Sequence, residues 1–112
     1  MRSPEADITR LRHMLDYTRK ALAFTKGKNR PDLDNDEVLA LAVIHLIEII
    51  GGAAGSISDE FQAQHPEIPW SLITGTRNRL AHGYIDVDLD IIWAIVQKNL
   101  PELAQKLHKI LA

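Results

Sequence analysis

A chain of 112 residues, 46% of them hydrophobic, has room for one compact domain with a single core and none for a second. Its formal net charge of −2 excludes a global basic field that would hold nucleic acid by counterion release, so any RNA contact has to be local. The absence of cysteine excludes disulfides, thiolate metal sites and a cysteine nucleophile, and fits a reducing compartment such as the cytoplasm.

Ser3-Pro4 has the form of an N-cap followed by proline at the first helical position, and Ile8, Leu11, Leu15, Thr18 and Leu22 then recur at steps of three and four. This predicts an amphipathic helix ending near Gly27. Its outer face carries Arg10, Arg12, Arg19 and Lys20, followed by Lys26, Lys28 and Arg30, a set that reads first as a solvated face and second as a strip that guides RNA. Asn29 to Asp34, rich in turn formers and holding Pro31, reads as a loop, with Asn35 or Asp36 placed to cap the next helix.

From Val38 to Ile50 apolar residues occupy nearly the whole circumference of that helix, so it is expected to be the most buried and to touch more than one neighbour, an oligomer interface included. The run is interrupted by His45 and Glu48 and is shorter than a bilayer span. With no apolar leader before it, the expectation is a soluble cytoplasmic protein with no membrane partner. Gly51, Gly52, Ala53, Ala54 and Gly55 follow; propensity alone would stop the helix there, while their small size lets another backbone come close.

Ser58 is placed to cap a short segment through Phe61 and Gln64, and His65 to Pro69 reads as an extended connection, because residues before proline avoid the α region. A helix starting at Pro69 would turn Trp70, Ile73, Thr76 or Arg77, and Leu80 inward, and end at Gly83. Asp86 or Asp88 can cap the last helical segment, where Leu89, Ile92, Trp93, Ile95 or Val96, Leu100, Leu103, Leu107 and Ile110 keep helical spacing and Pro101 is expected to kink or divide it. With no alternating strand pattern and no repeat, the fold reads as an all-α up-and-down bundle of four to five helices, one domain over residues 1–112.

Chemistry is concentrated in Arg77-Asn78-Arg79-Leu80-Ala81-His82-Gly83-Tyr84. An arginine that donates to phosphate oxygens and a histidine able to carry a proton at neutral pH form a workable minimum for cleaving RNA without a metal. Arg77 and His82 are therefore the candidate catalytic pair, Arg79 a further attraction for the RNA backbone, and Asn78 either a substrate contact or a local backbone cap. The plain alternative makes Arg77 and Arg79 surface residues at a helix end and His82 a C-cap partner.

The context of the motif tips that balance. Arg77, four residues, His82, one residue and Tyr84 match the Arg-x4-His-x-Tyr signature of the HepT-like toxins, a branch of the HEPN-domain ribonucleases. Ile68-Pro69-Trp70, Glu48-Ile49-Ile50-Gly51, Val87-Asp88 and Ile92-Trp93 also resemble the family's pattern at its spacing, so the likeness covers most of the chain. It implies an all-α homodimeric ribonuclease toxin acting on RNA. It also implies a partner, an MntA-type minimal nucleotidyltransferase antitoxin that silences the toxin by adding AMP to Tyr84. The family also favours a helix continuing through the glycines. It commonly has Gly-Glu-Ala-Ala where this chain has Gly51-Gly52-Ala53-Ala54, so that glutamate is missing here. The rival reading is a non-catalytic HEPN module that partners a nucleotidyltransferase, and the intact Arg77, His82 and Tyr84 set argues against it.

His45 reads as a hydrogen-bonded core or interface residue, with a role in the site as the minority reading; His13 and His108 fit helix surfaces and His65 a connection. No two histidines have the i, i+4 spacing of a zinc site, so no metal and no cofactor are expected. Trp70 and Trp93 read as core anchors, not as platforms for stacked bases, and Tyr17 as ordinary packing.

Overall fold

The computed structural model describes residues 4–82 and 87–112, the side chains of residues 81 and 82 excepted. Helix α1 (Pro4–Thr25) turns Asp7, Leu11, Met14, Leu15, Thr18, Ala21 and Thr25 inward. Two of these are threonines, and burial is tolerable because each hydroxyl donates one turn back, Thr18 to the Met14 carbonyl at 2.7 Å and Thr25 to that of Ala21 at 2.8 Å. Buried Asp7 accepts from the Ser58 amide at 2.8 Å and the Ser58 hydroxyl at 2.6 Å, which ties a distant turn to the start of α1. The helix gives way at Gly27, whose φ of 75° places it in the left-handed region.

The expected loop that follows is partly a helix, α2 (Arg30–Asn35). Pro31 sits in its first turn, where the missing N–H has no helical partner to lose. The Asn29 amide donates to Asp32 Oδ2 at 2.6 Å, and Arg30 pairs with Asp34 one turn on at 2.9 Å. Asp36, one of the two expected caps, accepts from the Leu39 amide at 3.1 Å and opens α3 (Glu37–Gly55).

Helix α3 is the central element, packed against α1 on one side and the later α5 (Trp70–His82) on the other. It continues through the glycine-rich run, because packing on both sides outweighs the weak propensity of those residues. At 19 residues it is long and apolar enough to cross a membrane by length and composition, which corrects the shorter span expected; eight of its residues are buried against neighbouring helices. For His45 the core alternative is corrected as well. The residue stands exposed on the outer face of α3 with Val38 and Leu41, away from the core.

Ser58 caps α4 (Asp59–Gln64) by accepting from the Phe61 amide at 3.2 Å, as its position implied. The connection that follows is anchored by Trp70, whose buried indole donates to the His65 carbonyl at 2.9 Å. Helix α5 (Trp70–His82) then runs back along α3. The last segment opens at Asp88, which accepts from the Asp90 amide at 2.9 Å. Arg30 reaches across from α2 to Asp90 at 2.6 Å.

Pro101 does not interrupt the helical backbone of the last segment. The backbone stays helical from α6 (Leu89–Ala94) through a π-turn (Ile95–Asn99) into α7 (Leu100–Leu111), with the Leu100 amide reaching Ile95 O. The wider turn falls just before the residue that cannot donate, so the proline sits in the first turn of α7. Ile92, Val96, Leu100, Leu103 and Leu107 are buried, Trp93 is half-buried, and α7 lies on α1. Among the described residues the architecture is all-α, with long rods α1, α3, α5 and α6 through α7, two short helices and no strand. The expected caps Ser3 and Asp86 lie outside the described residues.

Candidate active site

The polar stretch lies on the last turns of α5, which bury Trp70 and Leu80 and leave Arg77, Asn78 and Arg79 exposed. His82 is the final residue of the helix, its backbone one turn beyond Asn78. The expected helix end is therefore where the sequence put it. The expected turn residue Gly83 and the modification candidate Tyr84 lie outside the described residues, as does the His82 side chain.

Arg77 is half inside and half outside. Its aliphatic root rests on α3 at Gly51, where a Cβ on the glycine would come within 2.8 Å of Arg77 Cγ and 3.1 Å of the Ile73 carbonyl oxygen. Further along, a Cβ on Gly55 would meet the Thr74 methyl at 3.7 Å, so rising numbers on α3 meet falling numbers on α5 and the two helices are antiparallel. From this root the guanidinium extends into solvent and donates through Nη1 to Asn78 Oδ1 at 3.3 Å. The contact identifies one thing Asn78 does: it steadies the exposed end of Arg77, leaving its amide nitrogen available to another acceptor.

Arg79 diverges from Arg77. It lines a groove of about 300 Å³ with α3 as its floor, at Ile47 and Ile50, and α5 and the α6–π–α7 rod as its walls. Leu72 and Ile91 stand exposed on opposite rims, and Thr76, Asn99, Glu102 and Lys106 supply the polar edge. Thr76 has its hydroxyl committed to the Leu72 carbonyl at 2.7 Å. The two arginines thus serve different surfaces: Arg77 faces the α3 crossing and Arg79 the groove.

The remaining candidates fall elsewhere. Arg12, Arg19 and Lys20 are exposed on α1, Lys20 lies 4.7 Å over the Tyr17 ring, and Arg19 contacts His108 Nδ1 at 3.4 Å. This basic face belongs to the α1–α7 side, whereas α5 packs on the other side of α3. Among the described residues no three His, Asp or Glu side chains converge as metal ligands would. The groove was not read from the sequence, where Leu72 was the available signal. The close approach at Gly51 is what the small residues of that run implied, and the structure adds that α5 is the neighbour.

Comparison with known proteins identifies the family. The family model described as Ribonuclease HepT-like matches residues 14–110. A protein named as a candidate RNase in Caldanaerobacter subterraneus subsp. tengcongensis is 36% identical over 101 residues, covering 90% of each chain. The protein named probable ribonuclease HepT in Thermococcus cleftensis is 39% identical over 87 residues, covering 78% of this chain and 79% of its own. A candidate RNase of Methanocaldococcus jannaschii is 31% identical over 95 residues, covering 85% of this chain and 87% of its own. No solved structure matches. With a family model spanning nearly the whole chain and relatives matched over most of their length, the chain belongs to the HepT-like ribonucleases and is an endoribonuclease.

Proposed function

We propose that this endoribonuclease is the toxin of a toxin–antitoxin pair and cuts RNA without a metal, using Arg77 and His82 at a site completed by a second copy of the chain. The observation that carries the reading is the last part of α5, where exposed Arg77 is rooted against α3 and steadied by Asn78, and His82 ends the same helix. A guanidinium so held is suited to the charge that builds on the non-bridging phosphate oxygens during transfer.

In the proposed reaction His82 takes the proton from a ribose 2′-hydroxyl. The 2′-oxygen then attacks phosphorus, the bond to the 5′-oxygen breaks, and a proton returns to that oxygen. The products are a 2′,3′-cyclic phosphate and a 5′-hydroxyl. A two-fold dimer brings two copies of the Arg77 and His82 pair together and makes a cleft wider than one protomer offers to single-stranded RNA. Arg79, on the neighbouring face of α5, adds attraction for the RNA backbone.

Control follows from Tyr84, two residues beyond His82 in the chain. AMP added there by a minimal nucleotidyltransferase antitoxin puts an anion beside Arg77 and competes for the charge that substrate phosphate needs.

The test is cleavage of labelled RNA in EDTA by wild type, Arg77→Ala and His82→Ala, with folding and oligomeric state measured for each. The expected result is cutting by wild type and a loss on the order of 10²- to 10⁴-fold in both variants. Activity that appears only with magnesium, or an undiminished His82→Ala variant, contradicts the mechanism. Tyr84→Phe is expected to keep its ribonuclease activity and to escape silencing by a nucleotidyltransferase partner supplied with ATP.

A further inference from the structure

We infer that Gly51, on a different helix from the proposed catalytic residues, is a positioning residue: the absence of a side chain there fixes where the Arg77 guanidinium stands. The inference rests on the assignment of Arg77 above, and what it adds is the part played by α3.

Of the described glycines in α3 and α5, the four at positions 51, 52, 55 and 75 have different surroundings. A Cβ would meet nothing within 4 Å at Gly52 or Gly75, and only an ordinary contact of 3.7 Å at Gly55. At Gly51 it would overlap the Arg77 Cβ, stand 2.8 Å from Cγ and lie 3.1 Å from the Ile73 carbonyl oxygen. Neither obstacle is the free end of a flexible chain. One is the root of a side chain and the other is helix backbone, both set by the backbone of α5, so a methyl group can be admitted only by moving α5 off α3.

Gly51 has no positive φ, so the backbone itself does not require a glycine there. In a helix interior glycine is the weaker choice, and what favours it at this position is the close approach of α5. That approach traps Arg77 between two helices at Cβ and Cγ, while its Nη1 is held by Asn78. A side chain seated against a second helix at its root and hydrogen-bonded at its tip is partly oriented before substrate arrives. This is the preorganisation that electrostatic stabilisation of a transition state requires.

The measurement is single-turnover RNA cleavage with enzyme in excess, on Gly51→Ala made in the wild type and in Arg77→Gln, with Gly52→Ala and Gly55→Ala as controls. Glutamine keeps the root of the arginine and removes its guanidinium. In the wild-type background Gly51→Ala is expected to lower the cleavage rate at saturation by at least about tenfold with little change in RNA affinity. In Arg77→Gln the same substitution is expected to have no more than about a twofold effect, and the two controls are expected to stay within about twofold of wild type.

An equal loss in both backgrounds would mean a merely structural role and overturns the inference, as does a fully active Gly51→Ala. If Arg77→Gln itself keeps full activity, the assignment of Arg77 fails and the inference falls with it, an outcome distinct from the other two. If Gly51→Ala does not fold, the contact is tested by exchanging the glycine across it. Gly51→Ala with Arg77→Gly is expected to recover the fold and Gly51→Ala with Arg77→Ala is not. No difference between those two overturns the inference.

Discussion

A methyl group added at Gly52 points into open space, whereas one added a residue earlier strikes the base of Arg77. The same substitution at adjacent positions is therefore expected to have opposite effects on stability. Gly52→Ala should stabilise by roughly 0.5–1 kcal/mol through helix propensity, and Gly51→Ala should cost about 1–3 kcal/mol through overpacking, both read from urea denaturation midpoints. A sequence shows two adjacent glycines as equivalent, because the difference between them belongs to α5, which arrives from more than twenty residues away. Glu67 gives a pH-dependent case. Its carboxyl lies below the usual range, chiefly because its own backbone N–H donates to it and secondarily through the His65 imidazole, with desolvation opposing. A carboxyl depressed in the folded state contributes stability above the unfolded carboxylate range and loses it as pH falls. Glu67→Gln should therefore lower the melting temperature slightly at neutral pH, with the difference from wild type shrinking as pH falls below the ordinary carboxylate range.

The element boundaries that local chemistry determines were legible in advance. Ser58 and Asp88 cap where their positions implied, and Asp36→Ala, which removes the acceptor for the Leu39 amide, is expected to cost about 1 kcal/mol in chemical denaturation with activity retained. Features that depend on neighbours were not legible. Helix α2 was hidden because proline is as much at home in the first turn of a helix as in a loop. The exposed face of α3 was hidden for a different reason: with apolar residues nearly all round, no polar stripe marks which side meets solvent, so His45 could not be placed. The glycine run continued as helix because α1 and α5 hold it from both sides, a term that no propensity scale contains.

For the whole molecule, helical periodicity was enough to give the all-α class and the core positions from Leu11 to Leu107, and the Arg77 to His82 stretch was found at a helix end as expected. How α5 is seated on α3, and the groove that separates Arg79 from Arg77, required the packed structure. The proposed two-copy site makes a prediction at this scale. Arg77→Ala and His82→Ala protomers, each inactive alone, are unfolded together and refolded as a mixture. If a site takes its arginine from one copy and its histidine from the other, the mixed dimers hold one intact site of two. Cleavage should then return to about a quarter of the wild-type rate, whereas sites confined to one protomer would stay silent.

The π-turn before Pro101 can also be regarded as a change of phase. The buried positions of the last rod, Ile92, Val96, Leu100, Leu103 and Leu107, are separated by steps of four, four, three and four, so the wide turn coincides with the two longest steps in succession. A regular helix would carry successive steps of four gradually around its axis, and the extra residue in the turn cancels that drift. Deleting either Gln97 or Lys98, both exposed, would remove no core atom and would let the wide turn close as an ordinary α-turn, leaving Leu103 and Leu107 on α1. The last helix should thus tolerate at these two surface positions the loss of either residue as well as its substitution, and reject a deletion within α7, where no wide turn can absorb it. What the positions hold is one residue of slack, whatever side chain they bear.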